Sequence, residues 1–392
     1  MTRAFIPYGA YWSTPFVRWQ GSLARLHAVS FAADTAKAAL ARRGIDPAAC
    51  TAGVLGMSVP QQRSFYGFPW LAGALGAGHL AGPTLSQACA TSARCLAHAR
   101  AELEGEGAVL VVTADRTSNG PHLIYPDPLA AGGAGAHEHW VLDNFALDPH
   151  GGASMLQTGE NVATRYGIST EEQHEMVLRR YAQYRDALED DRAFHKRFMD
   201  LPFEVPTGRR SVMLEGDEGV HDTTAEGLAR LKPVLPGGSI TYAGQTHPAD
   251  GNAGMIVADA ATAARMARAP VTIEILGIGQ ARVEKAMMPT APVPAARRAL
   301  EAAGVGIADL AAIKTHNPFV VNDIYFLRET NADPAIMNNY GSSLVWGHPQ
   351  APTGLRCIIE MIEELTIRGG GYGLFTGCAA GDSGMAVVLK VG

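Results

Sequence analysis

The sequence predicts an α/β protein made of two copies of one folding unit, and three observations carry that prediction. The stretch Ala38–Met57 reads as a helix end, a turn and an apolar strand, and Arg298–Thr315 reads the same way, with Gly44-Ile45 and Gly306-Ile307 standing 262 residues apart. The helical run Ala90–Glu104, followed by Gly105, Gly107 and apolar Ala108–Ala114, is echoed by Thr353–Ile367, Gly369–Gly371 and Tyr372–Thr376, and Cys95 and Cys357 keep the same 262-residue spacing. Two helix–turn–strand units at one offset indicate a duplicated α/β half, not a short-period solenoid. Third, 44 of 392 residues are glycine, above the usual ~7%, as expected where turns are tight and backbones approach closely.

The elements then fall in order. Residues 1–118 form the first half, which resumes over residues 250–268, and residues 269–392 form the second. Residues 119–249 differ in character. They begin with a Gly/Pro/His-rich stretch (Pro128-Leu-Ala-Ala-Gly-Gly-Ala-Gly-Ala-His-Glu-His-Trp140), continue into a charged helix over Glu171–Met199 and end in turn-rich sequence. We read them as a loop domain inserted in the first half, carrying binding surface more than core.

Composition narrows the function classes. Apolar residues make up 47% and charged residues 18% of the chain, against a usual charged share of about a quarter. This favours a compact, oligomeric protein and excludes intrinsic disorder. The net charge of −6 offers no global basic field to hold nucleic acid or an anionic membrane. Met1–Gln20 has no apolar h-region, so no secretory leader is expected, and no run is long and apolar enough to span a bilayer. The five cysteines are scattered without a CxxC pair, which argues for a reducing cytoplasm and against both a disulfide framework and a structural zinc.

Four loops carry chemistry. In Ser86-Gln87-Ala88-Cys89-Ala90-Thr91-Ser92 a cysteine stands where turn becomes helix, ringed by small residues that leave room for an acyl group; free N–H groups and the helix dipole stabilise a thiolate there. Trp346-Gly347-His348-Pro349 fixes an imidazole on a rigid turn near a helix start, suited to act as a base for a thiol. Gly377-Cys378-Ala379-Ala380-Gly381 places a second cysteine at a strand end in a small-residue loop whose N–H groups can converge on an oxyanion. Thr315-His316-Asn317-Pro318-Phe319 ends a buried strand with polar groups. Two thiols and two imidazoles at strand ends suit C–C bond chemistry beside a thioester. One thiol holds the acyl group, the other handles the α-carbon proton, and donors meet the thioester oxygens.

These motifs resemble the thiolase family across nearly the whole chain. Cys89 matches the nucleophile loop, Gly347-His348-Pro349 the GHP motif, and Gly377–Gly381 the C-terminal CxGxG-type loop; Met155–Ala163 is similar to the helix after the family's loop domain, and Ala243-Gly244 through Asp250-Gly251 to the return to the core. The resemblance implies a duplicated five-layer α-β-α-β-α fold with an inserted loop domain for CoA, and a homodimer or tetramer. It implies reversible thiolytic cleavage of a 3-ketoacyl-CoA with CoA as co-substrate, no tightly bound cofactor and no metal. By position, Cys89 is the acylated nucleophile, His348 its base, Cys378 the acid/base at the α-carbon, and His316 the holder of a water in the first oxyanion hole. The backbone N–H groups of Cys89 and Ala380 form the second hole. Met155, Met288 and Phe319 match pantetheine or acyl positions, and Ser154, His221, Ala243 and His247 fall on the CoA side.

The chain departs from the family pattern in places. His316-Asn317-Pro318-Phe319 replaces NEAF or HEAF, losing an acidic residue; Ser154 stands where many members have His, His221 where an Arg often meets the CoA phosphate, and Pro352 and Asp382 are unusual. Two alternatives stay open: a decarboxylating ketosynthase, and a thiolase subunit active only with a small accessory partner. Elsewhere, the Arg179–Arg197 cations interleave with carboxylates as a solvated helix face would. His137 and His139 suggest no third metal ligand. Trp12, Tyr66, Trp70 and Trp346 are candidates for an acyl channel that ordinary packing also explains.

Overall fold

Burial with period two organises the molecule. The structure, a computed structural model, describes residues 3–103, 105, 107–206 and 211–392; Glu104, the last residue of the expected helical run, lies outside them. Along Ala108–Arg116, Val109 and Val111 enter one core while Leu110 and Val112 enter another, and Met255 and Val257 alternate with Ile256 and Ala258 on the neighbouring Ala249–Ala258. Successive side chains leave a strand on opposite faces. A sheet apolar on both faces must be covered on both.

The duplication is visible in the strand pairing. Ala52–Gly56 runs parallel to Ala108–Arg116, which pairs antiparallel with Ala249–Ala258; Leu310–His316 runs parallel to Gly371–Ala379, which pairs antiparallel with Ser383–Val391. Ala4–Phe5 pairs with both Ala249–Ala258 and Ile273–Arg282 and so joins the two halves into one sheet of eleven strands among the described residues.

Five layers result. The helices Thr91–Glu102 and Ala351–Ile367 lie between the two halves of the sheet, and Cys95, Leu96 and Ala99 share one core with Leu355, Cys357, Ile358 and Met361. Ala28–Arg42 and Gly67–Leu75 cover the outer face of the first half, Pro292–Ala303 and Val320–Thr330 that of the second. Part of the glycine excess serves this packing. A Cβ on Gly277 or Gly279 would sit 2.1 Å from the carbonyl of Ala299 or Ala295, so only glycine lets Pro292–Ala303 lie so close to its strand.

The segment between Asn119 and Gly251 carries two short hairpins and five helices among its described residues. The helix expected over Glu171–Met199 is two helices, Thr170–Asp186 and Glu189–Lys196, and Asp190, Asp191 and Arg192 have φ between +49° and +60°. Left-handed residues cannot continue a right-handed helix. The solvated reading of its basic residues also fails at Arg180, which is fully buried with Nε 2.8 Å from Asp323 Oδ2. Asp323 lies on Val320–Thr330, and helical spacing within one segment cannot reveal a partner on another. Asp217 ties the segment to the core: it accepts both terminal nitrogens of buried Arg356, at 2.6 and 2.8 Å, and the backbone N–H of Phe16 at 2.8 Å.

Candidate active site

The four chemical loops meet at one end of the sheet, around a cavity of about 450 Å³. Cys89, His348 and Ala380 form part of its wall, together with Met155, Met288 and Phe319. His316 and Cys378 lie just behind that wall, 0% and 1% exposed.

Cys89 is held by its turn. Ala88 has φ +44°, and Thr91 Oγ1, at the start of helix Thr91–Glu102, donates to the Ala88 carbonyl at 2.7 Å and accepts from Gln87 N at 2.8 Å. Cys89 Sγ lies 3.1 Å from His348 Nε2. Burial pushes the Cys89 thiol up to about 12; the backbone N–H groups of Ala380 and Cys89, aimed at the sulfur, pull it down, and the charge of Asp115 raises it further. Burial holds His348 well below the usual imidazole range, and His316 adds to the effect. The resting pair is therefore a neutral thiol and a neutral imidazole.

The ring of His348 is fixed from behind. Its Nδ1 is 2.6 Å from Thr353 Oγ1, on the first turn of Ala351–Ile367. With Nδ1 carrying the proton toward Thr353, Nε2 is bare and faces the thiol, the arrangement a general base requires. Gly347, with φ +94°, brings the chain past His247; a Cβ there would lie 2.7 Å from His247 Nε2.

His316 is held from behind by a second hydroxyl network. Leu344 N donates to Asn317 Oδ1 at 3.0 Å, which sets the Asn317 amide. Ser343 Oγ donates its one proton to that same oxygen at 3.0 Å and accepts from Asn317 N at 3.1 Å. His316 Nδ1, 2.9 Å from Ser343 Oγ, donates to it in that arrangement and accepts from it when the hydroxyl proton turns to the ring instead, Leu344 N still serving Asn317 Oδ1. Nε2 is buried and without a partner among the described residues. Burial holds this imidazole at about 3, so it stays neutral. A buried nitrogen with no protein partner suits a bound water. The acidic residue missing from the His316–Phe319 motif has a counterpart in space. Asp323 Oδ2 accepts from Asn317 Nδ2 at 2.7 Å and pairs with Arg180.

Cys378 departs from expectation in one respect. The strand Gly371–Ala379 runs through it, with Cys378 paired to Gly384, so it belongs to the sheet and not to a flexible loop. Burial pushes this thiol strongly up, and the nearby Cys89 adds to the rise. Asn322 Nδ2 donates to its sulfur at 3.3 Å. Sequence reading missed Asn322 because it lies inside a helix with no motif around it. Asp382, noted as unusual, accepts from Ala286 N at 2.9 Å and Met287 N at 3.1 Å, tying the loop after Cys378 to the one that presents Met288.

The remaining expected residues divide. Ser154 lines the cavity and caps helix Met155–Tyr166, accepting from Gln157 N at 3.0 Å, and His247 lines it too. Ala243 lies outside the wall, packed with Val177, Val320 and Leu344, and exposed His221 is also outside it. The aromatic residues nominated for an acyl channel are elsewhere: Trp12 and Trp346 are buried in packing, Tyr66 is 67% exposed and half-buried Trp70 sits on the outer helix Gly67–Leu75 beside His27. Trp140 and Phe145 take that place, with Trp140 Nε1 donating to the Ser58 carbonyl at 2.9 Å. Trp140 adjoins the His-Glu-His stretch, and only folding brings it over the cavity.

Ligand atoms of Cys89, His316 and His348 lie within 4.8 Å of one another. The two imidazoles are stacked, however, with ring centres 4.0 Å apart and 28° between planes. Stacked rings aim their nitrogens along similar lines, which suits two ligands converging on one ion poorly.

Comparison with known proteins identifies the chain. Residues 10–261 match the family profile described as "Thiolase, N-terminal domain" and residues 269–391 that described as "Thiolase, C-terminal domain". The chain belongs to the thiolase family. It is 28% identical to an acetyl-CoA acetyltransferase of Paracoccus denitrificans over 405 aligned residues, covering 100% of both chains. It is 31% identical to a beta-ketothiolase of Cupriavidus necator, over 71% of this chain and 70% of that one. Among solved structures it resembles human mitochondrial 3-ketoacyl-CoA thiolase, with TM-score 0.90 and 25% identity over 100% of this chain and 99% of that one. This membership accords with the five-layer architecture of the fold.

Proposed function

We propose that this thiolase-family chain catalyses the reversible thiolytic cleavage of a 3-ketoacyl-CoA, with CoA as co-substrate and no tightly bound cofactor. The observation that carries the reading is the 3.1 Å approach of Cys89 Sγ to His348 Nε2, beside the N–H groups of Cys89 and Ala380.

In the cleavage direction, Cys89 Sγ attacks the 3-keto carbon as His348 Nε2 takes the thiol proton. The N–H groups of Cys89 and Ala380 receive the developing oxyanion. The C2–C3 bond breaks and its electron pair leaves on the thioester as an enolate, whose oxygen meets His348 and a water held by His316. Cys378 gives its proton to the α-carbon, releasing acetyl-CoA, and later recovers a proton. The thiol of CoA gives its proton to the Cys378 thiolate and attacks the Cys89 thioester, whose C–S bond breaks as His348 returns its proton to Cys89 Sγ, leaving free Cys89 and an acyl-CoA shortened by two carbons. Condensation is the same sequence reversed. Ser154, Met155, His247, Met288 and Phe319 line the path of the pantetheine arm and acyl chain, and exposed His221 stands on the CoA side.

A homodimer or tetramer is part of the proposal, supported by the low charge content and by the exposed apolar side chains Phe65, Ile124 and Leu129. A cytoplasmic setting rests on five unpaired cysteines. No helix of the described residues is long and apolar enough to cross a membrane.

The test is acylation. Mixed with a 3-ketoacyl-CoA, the wild type should gain one acyl mass on the peptide bearing Cys89 and yield acetyl-CoA, and Cys89→Ala should do neither. Undiminished CoA-dependent cleavage by Cys89→Ala would overturn the mechanism. Release of CO2 from a malonyl thioester would favour the ketosynthase alternative.

A further inference from the structure

Asp115 is a buried carboxyl that the mechanism above does not use. It is the penultimate residue of strand Ala108–Arg116, 2% exposed, and its partners join two loops of the site. Oδ1 accepts from Ser58 N at 2.9 Å and Val59 N at 2.8 Å. Oδ2 accepts from Ser58 Oγ at 2.6 Å and from the backbone N–H of Ala351, at the start of the helix after His348, at 2.9 Å. Ser58 and Gln350 both form cavity wall. Gln350 has φ +61° and ψ −96°, a conformation costing about 1–3 kcal/mol in a non-glycine residue and kept only where neighbours enforce it.

Ser58 Oγ is also 2.8 Å from Gln350 Oε1. One hydroxyl proton cannot serve two acceptors, so the trio has two consistent arrangements. With Asp115 ionised, Ser58 donates to the carboxylate, and Gln350 must turn its amide to donate Nε2 to Ser58, leaving Oε1 for the cavity. With Asp115 protonated, the acid donates to Ser58 Oγ, Ser58 donates to Gln350 Oε1, and Nε2 is left for the cavity. We infer that Asp115 is a positioning residue of the site, selecting through Ser58 which end of the Gln350 carboxamide is offered to substrate. This deepens the proposed function and rests on it where substrate affinity is concerned.

Burial pushes the Asp115 carboxyl up to about 7, against the four donors that pull it down, so both arrangements are populated near neutrality. The groups facing it are few. Cys89 feels its charge, and His348 stands three residues before Ala351. Arg116 adjoins it, and Asp250, on the neighbouring strand, shares a small void with it. Asp250 is itself raised to about 6 but bonds Ser118, away from the cavity. Leu23, Leu26 and Ala28 close the void without charge.

Two measurements test the inference. The first follows alkylation of Cys89 by iodoacetamide against pH, mapped by peptide mass. Asp115→Asn should match the wild type in acid and react about threefold faster above neutrality, where the wild-type carboxylate opposes the thiolate. The second is a KM cycle with a 3-ketoacyl-CoA. Ser58→Ala and Gln350→Leu should each raise KM about fivefold with kcat within about twofold, and the double variant should go no further than the larger single. Ser58→Ala should still oppose alkylation once Asp115 is ionised, with the onset moved to higher pH because the carboxyl loses the hydroxyl that lowers it. Superimposable Asp115→Asn and wild-type profiles, or fully additive KM effects, would overturn the inference. Should Asp115→Asn not fold, the KM cycle decides. A wild type that cleaves no 3-ketoacyl-CoA would end the proposed function, and the alkylation comparison would still decide the role of Asp115.

Discussion

His316 and His348 lie face to face, ring centres 4.0 Å apart, yet their outer nitrogens have different neighbours. Nε2 of His348 has Cys89 Sγ at 3.1 Å, whereas Nε2 of His316 has no protein partner among the described residues. Ser343 Oγ, 2.9 Å behind one ring, and Thr353 Oγ1, 2.6 Å behind the other, hold the two inner nitrogens. Two similar side chains thus face different surroundings, in keeping with the proposed division in which one takes the thiol proton and the other holds a water.

Thr353→Val should lower kcat roughly tenfold, about 1.4 kcal/mol of transition-state stabilisation, with KM nearly unchanged. The hydroxyl at 2.6 Å from His348 Nδ1 orients the base and stabilises its charged form without touching substrate. Steady-state kinetics on the isosteric variant is the check, and an equal rise in KM would contradict this assignment.

Alkylation of Cys89 should be slow at neutral pH and climb steadily as pH rises. The thiol is raised to about 12 and His348 is lowered, so no thiolate–imidazolium pair is stored in the free enzyme. A plateau reached already in acid, the signature of a preformed ion pair, would contradict the neutral resting state.

Cys378→Ala should leave acylation of Cys89 within about threefold of wild type and lower condensation by at least about a thousandfold, since the α-carbon loses its acid/base. Asn322→Leu, which removes the 3.3 Å donor to that sulfur, should slow condensation roughly tenfold by the same route. Rapid-quench mass spectrometry of the acyl-enzyme, beside product formation, separates the two steps. Equal losses in both would show that the second thiol also serves the first step.

Acid should destabilise the fold through His195. This imidazole is fully buried, neither ring nitrogen has a partner among the described residues, and burial lowers it from 6.5 to about 3. Below pH 6.5 the unfolded chain takes up a proton that the native chain refuses. Its contribution is therefore intact above that pH and is lost progressively as pH falls toward 3. Urea midpoints measured across this window should fall with pH, less steeply in His195→Leu. His316, lowered in the same way, supplies part of the remaining slope.

The duplicated fold and the two cysteines and two histidines of the site were legible from the chain alone, because each sits in a local pattern. Alternating apolar residues mark strands, a fixed offset marks duplication, and small residues around Cys89 or the Gly-His-Pro turn mark places where backbone must come close. Arg180 was misread, Asn322, Trp140 and Asp115 were passed over, and the acyl-channel aromatics were chosen wrongly, for one reason. Their significance rests on contacts between residues far apart in the chain. Asp323 is 143 residues from Arg180 and Ala351 is 236 from Asp115.

What the sequence determined by itself is the inventory: which elements form, how they repeat and which chemical groups stand at their ends, since these follow from local backbone and burial preferences. What only the tertiary structure decided is protonation and aim. Which nitrogen of each imidazole is bare, how far each thiol is raised and which aromatic side chains cover the cavity depend on desolvation and on hydrogen-bond partners supplied across the sheet, and those exist only once the chain is folded.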